Sequence, residues 1–484
     1  MRRLQAPRPL ALLLAAVTVL GIAWALLLPP WQAPDEPSHF GYSQLLAERF
    51  KLPGDKPGRQ FSREQQLAAN DSNAVQTGGV TATKPEWSRL ADREWQGADS
   101  RLRGDARGDG GGKAPGGNAN SARTNPPLYY AWEAFPYLAA SSGDIFQRLY
   151  LMRLWSLVFL LVTTAATWAL VGEVLGRRPF LQLVGAALAA LEPMSTFVAA
   201  SVNPDALLIA AWAAALWLGA RILRRGLTLR DGVGLSLSVA AAVLAKATGW
   251  ALVPAAIFVV GFAAWRRRAQ GEKPGRRLPA LAGAFTIPVG VWLAVAHFAH
   301  HSAVNKVTGA SHALNVRELM SYLWQFYLPK LPFQRPFPAI SSLPVYDVWI
   351  KTGWAAFGFL EVRLPGWVYP ILAGVTALLV ATLVIALVRG RPRALPLLAF
   401  FAIAAVVLLA GLHWTEYRLI TGQGKAFNQG RYLLPLVPLL GLGAAALVQL
   451  AGRRAGSVVG GLILGGLVML QLASLATVAG RFYA

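Results

Sequence analysis

The chain has no cysteine among its 484 residues. That excludes disulfide frameworks, thiolate metal sites and thiol nucleophiles. It does not fix the compartment, because an exported protein need carry no disulfide. Acidic residues are also scarce: 23 Asp and Glu stand against 46 Lys and Arg, a formal net charge of +23. Charge of either sign is thin, at 14% of residues, where a soluble chain usually carries about a quarter. With 55% apolar residues and a mean hydropathy of +0.43, there is enough apolar sequence for several membrane spans, not merely one large core. A basic surplus of this size ordinarily raises nucleic acid as a partner, so the placement of the charges decides its meaning.

The first long apolar run, residues 9–30, follows Arg2, Arg3 and Arg8. A basic start and an apolar middle also describe a signal peptide. No small-x-small cleavage site precedes Pro29-Pro30-Trp31 and further apolar runs follow, so an uncleaved first transmembrane helix is the expectation. Ten more runs lie near 150–172, 180–200, 205–221, 233–246, 248–265, 279–296, 366–388, 394–412, 432–450 and 456–479, giving about eleven spans. A shorter stretch, 127–141, reads as an interfacial or re-entrant helix. Between the first and second spans, residues 31–126 are polar. Within them 97–122 is nearly all Gly, Ala, Asp, Asn, Arg and Ser, the composition of a disordered insert. Its two Arg-Gly-Asp triplets are read as chance in so biased a stretch.

The basic residues sort by loop. If the N-terminus is cytoplasmic, alternate connections carry Arg177-Arg178, then Arg221, Arg224, Arg225 and Arg230, then six between Arg266 and Arg277, then Arg389, Arg391 and Arg393, and last Arg453-Arg454. With the N-terminal three, twenty of the basic residues fall in a few dozen positions on one side, which is the positive-inside pattern. The expected organisation is a first transmembrane helix (1–30), a large external loop (31–149), a transmembrane core (150–296), a second external loop (297–365) and C-terminal transmembrane helices (366–484). These scattered clusters do not make the basic face with interleaved aromatics that a nucleic acid requires.

Several polar residues gather at the opposite, external helix ends. Pro34-Asp35-Glu36-Pro37-Ser38-His39-Phe40-Gly41-Tyr42 directly follows the first span. An acid there can take a proton from an acceptor hydroxyl, or help hold Mg²⁺ or Mn²⁺. The plainer reading is a helix start, with Pro37 at its first position and acidic charge at its positive end. Asn125-Pro126-Pro127-Leu128-Tyr129-Tyr130 has the form of a helix cap, or of a re-entrant helix that sets Tyr129 and Tyr130 beside a sugar or headgroup. Asn203-Pro204-Asp205 likewise suits a cap, yet brings a second acid to the face of Asp35. Glu192, inside a predicted span, needs a partner, and Arg153 and Lys246 are the candidates. Lys246 is either an interfacial snorkeller or a phosphate ligand. His297, His300 and His301, with His312 beyond, form a weak metal pattern with no carboxylate to complete it. Gln429-Gly430-Arg431-Tyr432 opens a late span, and Arg431 at a helix start opposes the dipole, so it is a poor cap and a better anion ligand.

Taken in order, Pro34–Phe40, Asn125–Tyr130, Met152-Arg153-Leu154, Asn203–Asp205, Lys246-Ala247-Thr248-Gly249 and Gln429–Pro435 resemble a family of polytopic bacterial membrane proteins within the GT-C glycosyltransferase superfamily. Looser relatives are the protein O-mannosyltransferases, oligosaccharyltransferase catalytic subunits and the lipid A aminoarabinose transferase. The resemblance implies an all-α, polytopic GT-C fold whose first external loop carries short amphipathic helices. It further implies a polyprenyl-phosphate sugar donor and transfer to a cell-envelope acceptor on the outer face of the bacterial cytoplasmic membrane. The superfamily's candidate base in the first external loop maps onto Asp35, with Glu36 beside it, and a second acid maps onto Asp205. The candidate substrate contacts are His39, Tyr42, Asn125, Tyr129, Tyr130, Arg153, Glu192, Asn203, Lys246, Gln429, Arg431 and Tyr432. Some relatives need a divalent cation and others do not.

The expected reaction is one inverting displacement, with Asp35 accepting the acceptor proton and Arg431, with Lys246 or Arg153, stabilising the leaving phosphate. Two other readings stand beside it. A transporter or flippase of lipid-linked sugars would show inverted repeats and midplane charge, and no convincing repeat is found. An O-antigen ligase or polymerase would use the same face with a lipid-diphosphate donor.

Overall fold

A computed structural model of the chain describes residues 7–54, 61–62, 64–65, 68, 115–116, 120–271, 277–299, 315–341, 343–390 and 394–483. Most of the 97–122 insert, both Arg-Gly-Asp triplets, and His300, His301 and His312 lie outside these residues.

All eleven expected apolar runs are helical. In chain order the helices are α1 (Arg8–Leu27), α2 (Glu36–Arg49), α3 (Leu128–Ala139), α4 (Ile145–Val174), α5 (Pro179–Leu191), α6 (Pro193–Ala199), α7 (Asp205–Arg225), α8 (Leu229–Ala245), α9 (Val253–Ala269), α10 (Leu278–Phe298) and α11 (Val316–Tyr327). They continue, after a π-helix (Val345–Lys351) that runs into one short helical turn (Thr352–Trp354), with α12 (Val368–Arg389), α13 (Leu395–Gln423), α14 (Val437–Leu450) and α15 (Gly452–Tyr483). Short 3₁₀ segments, Ala247–Leu252 and Gly430–Leu436, lead into α9 and α14. Nine continuous helical stretches among the described residues are long and apolar enough to cross a membrane, and the bent pair α5–α6 is a tenth. The eleventh run, α8, has 17 residues. The chain is therefore a multi-span, all-α membrane protein. Large apolar side chains such as Leu12 (71% exposed) and Leu462 (71%) cover its outside, the reverse of a soluble surface. The central helices α4 and α7 are sealed by their neighbours.

The expected span 180–200 breaks. Pro193 has no N–H to continue the ladder, and the chain bends by 60° between α5 and α6. Glu192 lies at that break, and its carboxylate accepts from Met194 N (3.1 Å) and Ser195 N (2.7 Å), capping α6. Gln471 of α15 donates to Leu191 O (3.1 Å) and Thr196 Oγ1 (2.8 Å), so the opened backbone is satisfied. The partners expected for Glu192 are both engaged elsewhere: Arg153 with Glu36 and Lys246 with Asp205.

Opposite ends of the bundle differ in character. Arg224 and Arg225 at the C-terminus of α7 bond Val174 O and Glu173 at the end of α4, and Arg266 bonds Leu223 O. Arg267 and Arg277 share Leu227 O. These basic clusters sit together, one helix length from Asp205 at the start of the 21-residue α7, about 30 Å away. The 34–42, 125–130, 203–205, 246 and 429–432 segments meet at the other end.

Candidate active site

Asp35 sits between α1 and α2 with φ +60°, in the left-handed region. Asp and Asn are the side-chain-bearing residues that best tolerate this conformation. Its carboxylate makes no cap bond to α2. It is turned instead toward Arg431, whose Nη2 donates to Oδ2 at 2.6 Å across 396 residues of sequence. The helix-start reading therefore does not account for Asp35. Burial alone would raise its pKa, but the positive charges of Arg431, His39 and Lys246, together with the Arg431 hydrogen bond, outweigh that and hold the carboxyl at about 2.

Arg431 is only 3% exposed at its side chain, whereas Asp35 is 45% exposed. Both line a recess of about 390 Å³ with Ser38, Phe61, Ser121, Phe359, Leu360 and Gln429. Arg431 Nε and Nη1 are buried with no hydrogen-bond partner among the described residues. Its position is fixed by close backbone contact: a Cβ on Gly430 would lie 2.3 Å from Gly353 N, and Gly430 N donates to Thr352 Oγ1 at 2.6 Å.

Beside this pair stands a second one. Lys246, where α8 ends, donates to Asp205 Oδ1 at 2.7 Å, and Asp205 Oδ2 is buried with no hydrogen-bond partner among the described residues. The turn after Lys246 is tight, since a Cβ on Gly249 would lie 2.1 Å from Ala242 O. The ring of Tyr432 links the pairs, with Lys246 Nζ 4.8 Å and Arg431 Cζ 5.4 Å from its centroid. Asn203 Oδ1 accepts from Asp205 N (3.0 Å), the capping bond expected, and Asn203 N donates to Tyr129 Oη (2.7 Å). Tyr129 Oη is also 2.8 Å from Ser156 Oγ.

His39, Tyr42 and Tyr130 form a buried layer behind the acids, with Asn125 half-buried beside them. The Tyr42 and Tyr130 rings stack at 3.7 Å and 11°. Asn125 Nδ2 donates to Tyr130 Oη (2.8 Å), which lies 2.9 Å from His39 Nδ1. Asn125 thus holds a tyrosine and does not cap α3, which has no side-chain cap. Burial pushes the His39 imidazole down to about 4, and burial raises the hydroxyls of Tyr42, Tyr129 and Tyr130.

Glu36 and Arg153 lie away from the recess and pair with each other. Both side chains are fully buried. Arg153 Nε and Nη2 grip the Glu36 carboxylate at 2.8 and 2.6 Å, while Nη1 and Nη2 donate to Ala25 O, Leu28 O and Pro29 O. Val202 N adds a bond to Glu36 Oε1. This unit ties the end of α1, the start of α2 and the 202–205 turn together, and it presents nothing to the recess. Glu192 is likewise a buried cap. The sequence reading missed Ser38, Phe359 and Leu360, which line the recess, and Thr352 and Ser156, which fix Arg431 and Tyr129. Only Leu360, at φ +74°, stands out locally, and that too is visible only in three dimensions.

A divalent cation does not fit this donor set. Asp35, Glu36 and Asp205 are each neutralised by a protein cation. Among the described residues no three His, Asp or Glu side chains converge as a metal site would require.

A family model described as "Predicted membrane protein (DUF2142)" matches residues 18–440. No curated protein sequence matches the chain. Among solved structures, the chain is similar to ArnT from Cupriavidus metallidurans bound to undecaprenyl phosphate, at 13% identity and TM-score 0.45 over 99% of this chain and 76% of that one. It is also similar to the apo oligosaccharyltransferase of Archaeoglobus fulgidus, at 10% identity and TM-score 0.48 over 98% of this chain and 56% of that one.

Proposed function

The chain belongs to the DUF2142 family of predicted membrane proteins, and we propose that it is a GT-C-type glycosyltransferase that uses a polyprenyl-phosphate sugar at the recess beside Asp35 and Arg431. The observation that carries this reading is Arg431: a buried guanidinium lining the recess, with two nitrogens unpartnered among the described residues and one carboxylate in direct contact. An Arg so placed binds phosphate oxygens. Lys246 supplies a second cation joined to it through the Tyr432 ring.

In the ligand-free site the two acids and two cations cancel. A carboxyl held at about 2 is a poor base. When the donor phosphate takes Arg431, Asp35 loses the largest of the charges that depress its pKa and gains basicity as the reaction needs it. The acceptor hydroxyl then attacks the anomeric carbon, and its proton passes to Asp35. The bond from that carbon to the phosphate oxygen breaks with its electron pair on the leaving lipid phosphate, which Arg431 and Lys246 stabilise. One displacement gives inversion. Glu36, Arg153 and Glu192 position backbone and do not touch substrate. The positive-inside pattern supports a cytoplasmic basic end and a recess on the outer face of a bacterial cytoplasmic membrane, where a cell-envelope acceptor is available.

Purified protein in liposomes, given polyprenyl-monophosphate and polyprenyl-diphosphate sugars in parallel, tests the proposal. Sugar transfer from the monophosphate alone supports it. Silence with both, alongside movement of the lipid-linked sugar between leaflets, replaces it with transport.

A further inference from the structure

The basic end of the bundle, far from Asp35, holds a second recess of about 520 Å³. The C-termini of α4, α7, α12 and α14 meet there, and α13 begins there. Several arginines at this end are committed. Arg225 pairs with Glu173 at 2.6 Å and Arg221 with Asp231 at 3.0 Å, while Arg266, Arg267 and Arg277 donate to backbone carbonyls. The two arginines that line the recess differ. Arg389 makes no hydrogen bond or ion pair with any described residue, and Arg224 gives only Nη1, to Val174 O at 3.1 Å. Gln449, also in the lining, has no side-chain bond among the described residues. No carboxylate is among the described lining residues. These three polar side chains are exposed, whereas Leu387 (3% exposed) and Leu397 (1%) in the same lining are buried. The recess therefore has a charged rim and an apolar inner wall.

We infer that this recess seats one anionic glycerophospholipid of the adjoining leaflet, its phosphodiester held by Arg224 and Arg389 and its acyl-glycerol part against the leucines. Four helix C-termini bring partial negative charge to the spot, so an anion is held only because cations stand before the carbonyls. Two guanidiniums, one already shared with Val174 O, suit the single charge and two free oxygens of a phosphodiester better than a dianion. A bare phosphate would satisfy the arginines but leave the apolar wall against water, and a lipid covers both. Gln449 offers its amide to headgroup hydroxyls, whereas a choline headgroup would bring a third cation to the rim. Basic pockets between transmembrane helices on the cytoplasmic side are general sites for anionic headgroups, and the positive-inside pattern supports that side for this one. The inference does not depend on the sugar-transfer reading, whose lipid phosphate belongs to the opposite end of the bundle.

The test is native mass spectrometry on the full chain, purified in detergent and stripped of lipid, with dioleoyl phosphatidylglycerol, dioleoyl phosphatidylcholine or inorganic phosphate added. One phosphatidylglycerol binds saturably and roughly 25-fold more tightly than phosphatidylcholine, at about fivefold for each arginine contact. Inorganic phosphate at millimolar concentration does not displace it. Arg389→Gln removes a charge and no bond among the described residues, so the fold is kept. It weakens phosphatidylglycerol about fivefold, and with Arg224→Gln added the preference over phosphatidylcholine disappears. Arg230→Gln, at the same end but outside the recess lining, leaves the affinity unchanged. Equal binding of the two lipids to the wild type means ordinary boundary lipid and overturns the site. Displacement by inorganic phosphate makes it a soluble-anion site and overturns the lipid. Wild-type affinity in Arg389→Gln, or an equal loss in Arg230→Gln, assigns the effect to the general charge of this end and overturns the proposal.

Discussion

Asp35 and Glu36 are adjacent acids with opposite burdens, and isosteric amides separate them. Glu36→Gln removes the charge facing Arg153 where both side chains are fully buried. Breaking one side of such a pair costs about 3–5 kcal/mol, because the remaining charge has no water to turn to. At roughly 2.1 cal/mol/K of unfolding entropy per residue, a chain of 484 residues melting as one unit changes stability by about 1 kcal/mol per kelvin. The midpoint therefore falls by about 3–5 °C, and by more if helices persist in the unfolded state and the entropy is smaller. Asp35→Asn differs in each respect. Asn tolerates φ +60°, its amide oxygen still accepts from Arg431, and the site opens on the recess. Arg431 is buried, but Asp35 is 45% exposed and the amide keeps one bond to the guanidinium, so the cost is smaller than at Glu36, about 1–2 kcal/mol, and the midpoint moves by about 1–2 °C. Turnover falls by about 10²–10⁴-fold, as for loss of a general base. Nanoscale fluorimetry in detergent reads the first quantity and single-turnover sugar transfer the second. A Glu36→Gln protein that melts like wild type, or an Asp35→Asn protein that keeps wild-type turnover, refutes the division of roles.

Arg153→Met destabilises more than Glu36→Gln, because it also strips the donors from Ala25 O, Leu28 O and Pro29 O; the same melting assay ranks them. Arg431→Met lowers transfer by about 10²–10³-fold and weakens donor binding in an equilibrium assay, with little change in melting midpoint. Gly430→Ala drives a Cβ into the backbone at Gly353, so it lowers turnover through a displaced Arg431, and Gly430→Ser is worse. For His39 the folded pKa of about 4 lies below the ordinary 6.5. The unfolded chain binds that proton first, so stability falls as pH drops from about 6.5 to about 4. The slope over that window is shallower in His39→Gln, and an unchanged slope assigns it to other groups.

The apolar runs were legible because each is long enough to declare itself, and all eleven became helices. Their breaks were less so. Glu192-Pro193 carries a stop signal that the run of apolar neighbours on both sides outweighed in the reading of 180–200 as one span. The site's membership was partly legible from where polar residues fall along alternating helices, which brings Asp35, Asp205, Lys246 and Arg431 to one end. Pairing was not. Nothing in local sequence says that Arg153 serves Glu36 and not Glu192, or that Asp35 and not Glu36 faces the recess. Those choices follow from a single positive φ at Asp35 and from three carbonyls at the end of α1 that claim Arg153 first. Phe359 and Leu360 had no polar signature at all.

The bond between Asp35 and Arg431 also imposes an order on the making of the protein. Its partners are 396 residues apart, so the first half of the site enters the membrane long before the second half is synthesised. Glu36 can be neutralised once α4 delivers Arg153, and Asp205 once α8 delivers Lys246, each by a segment made soon afterwards. Asp35 waits for nearly the whole chain. A nascent or truncated chain that stops before residue 431 would thus hold a largely assembled bundle without its phosphate-binding cation, and competence would arrive only with the final spans.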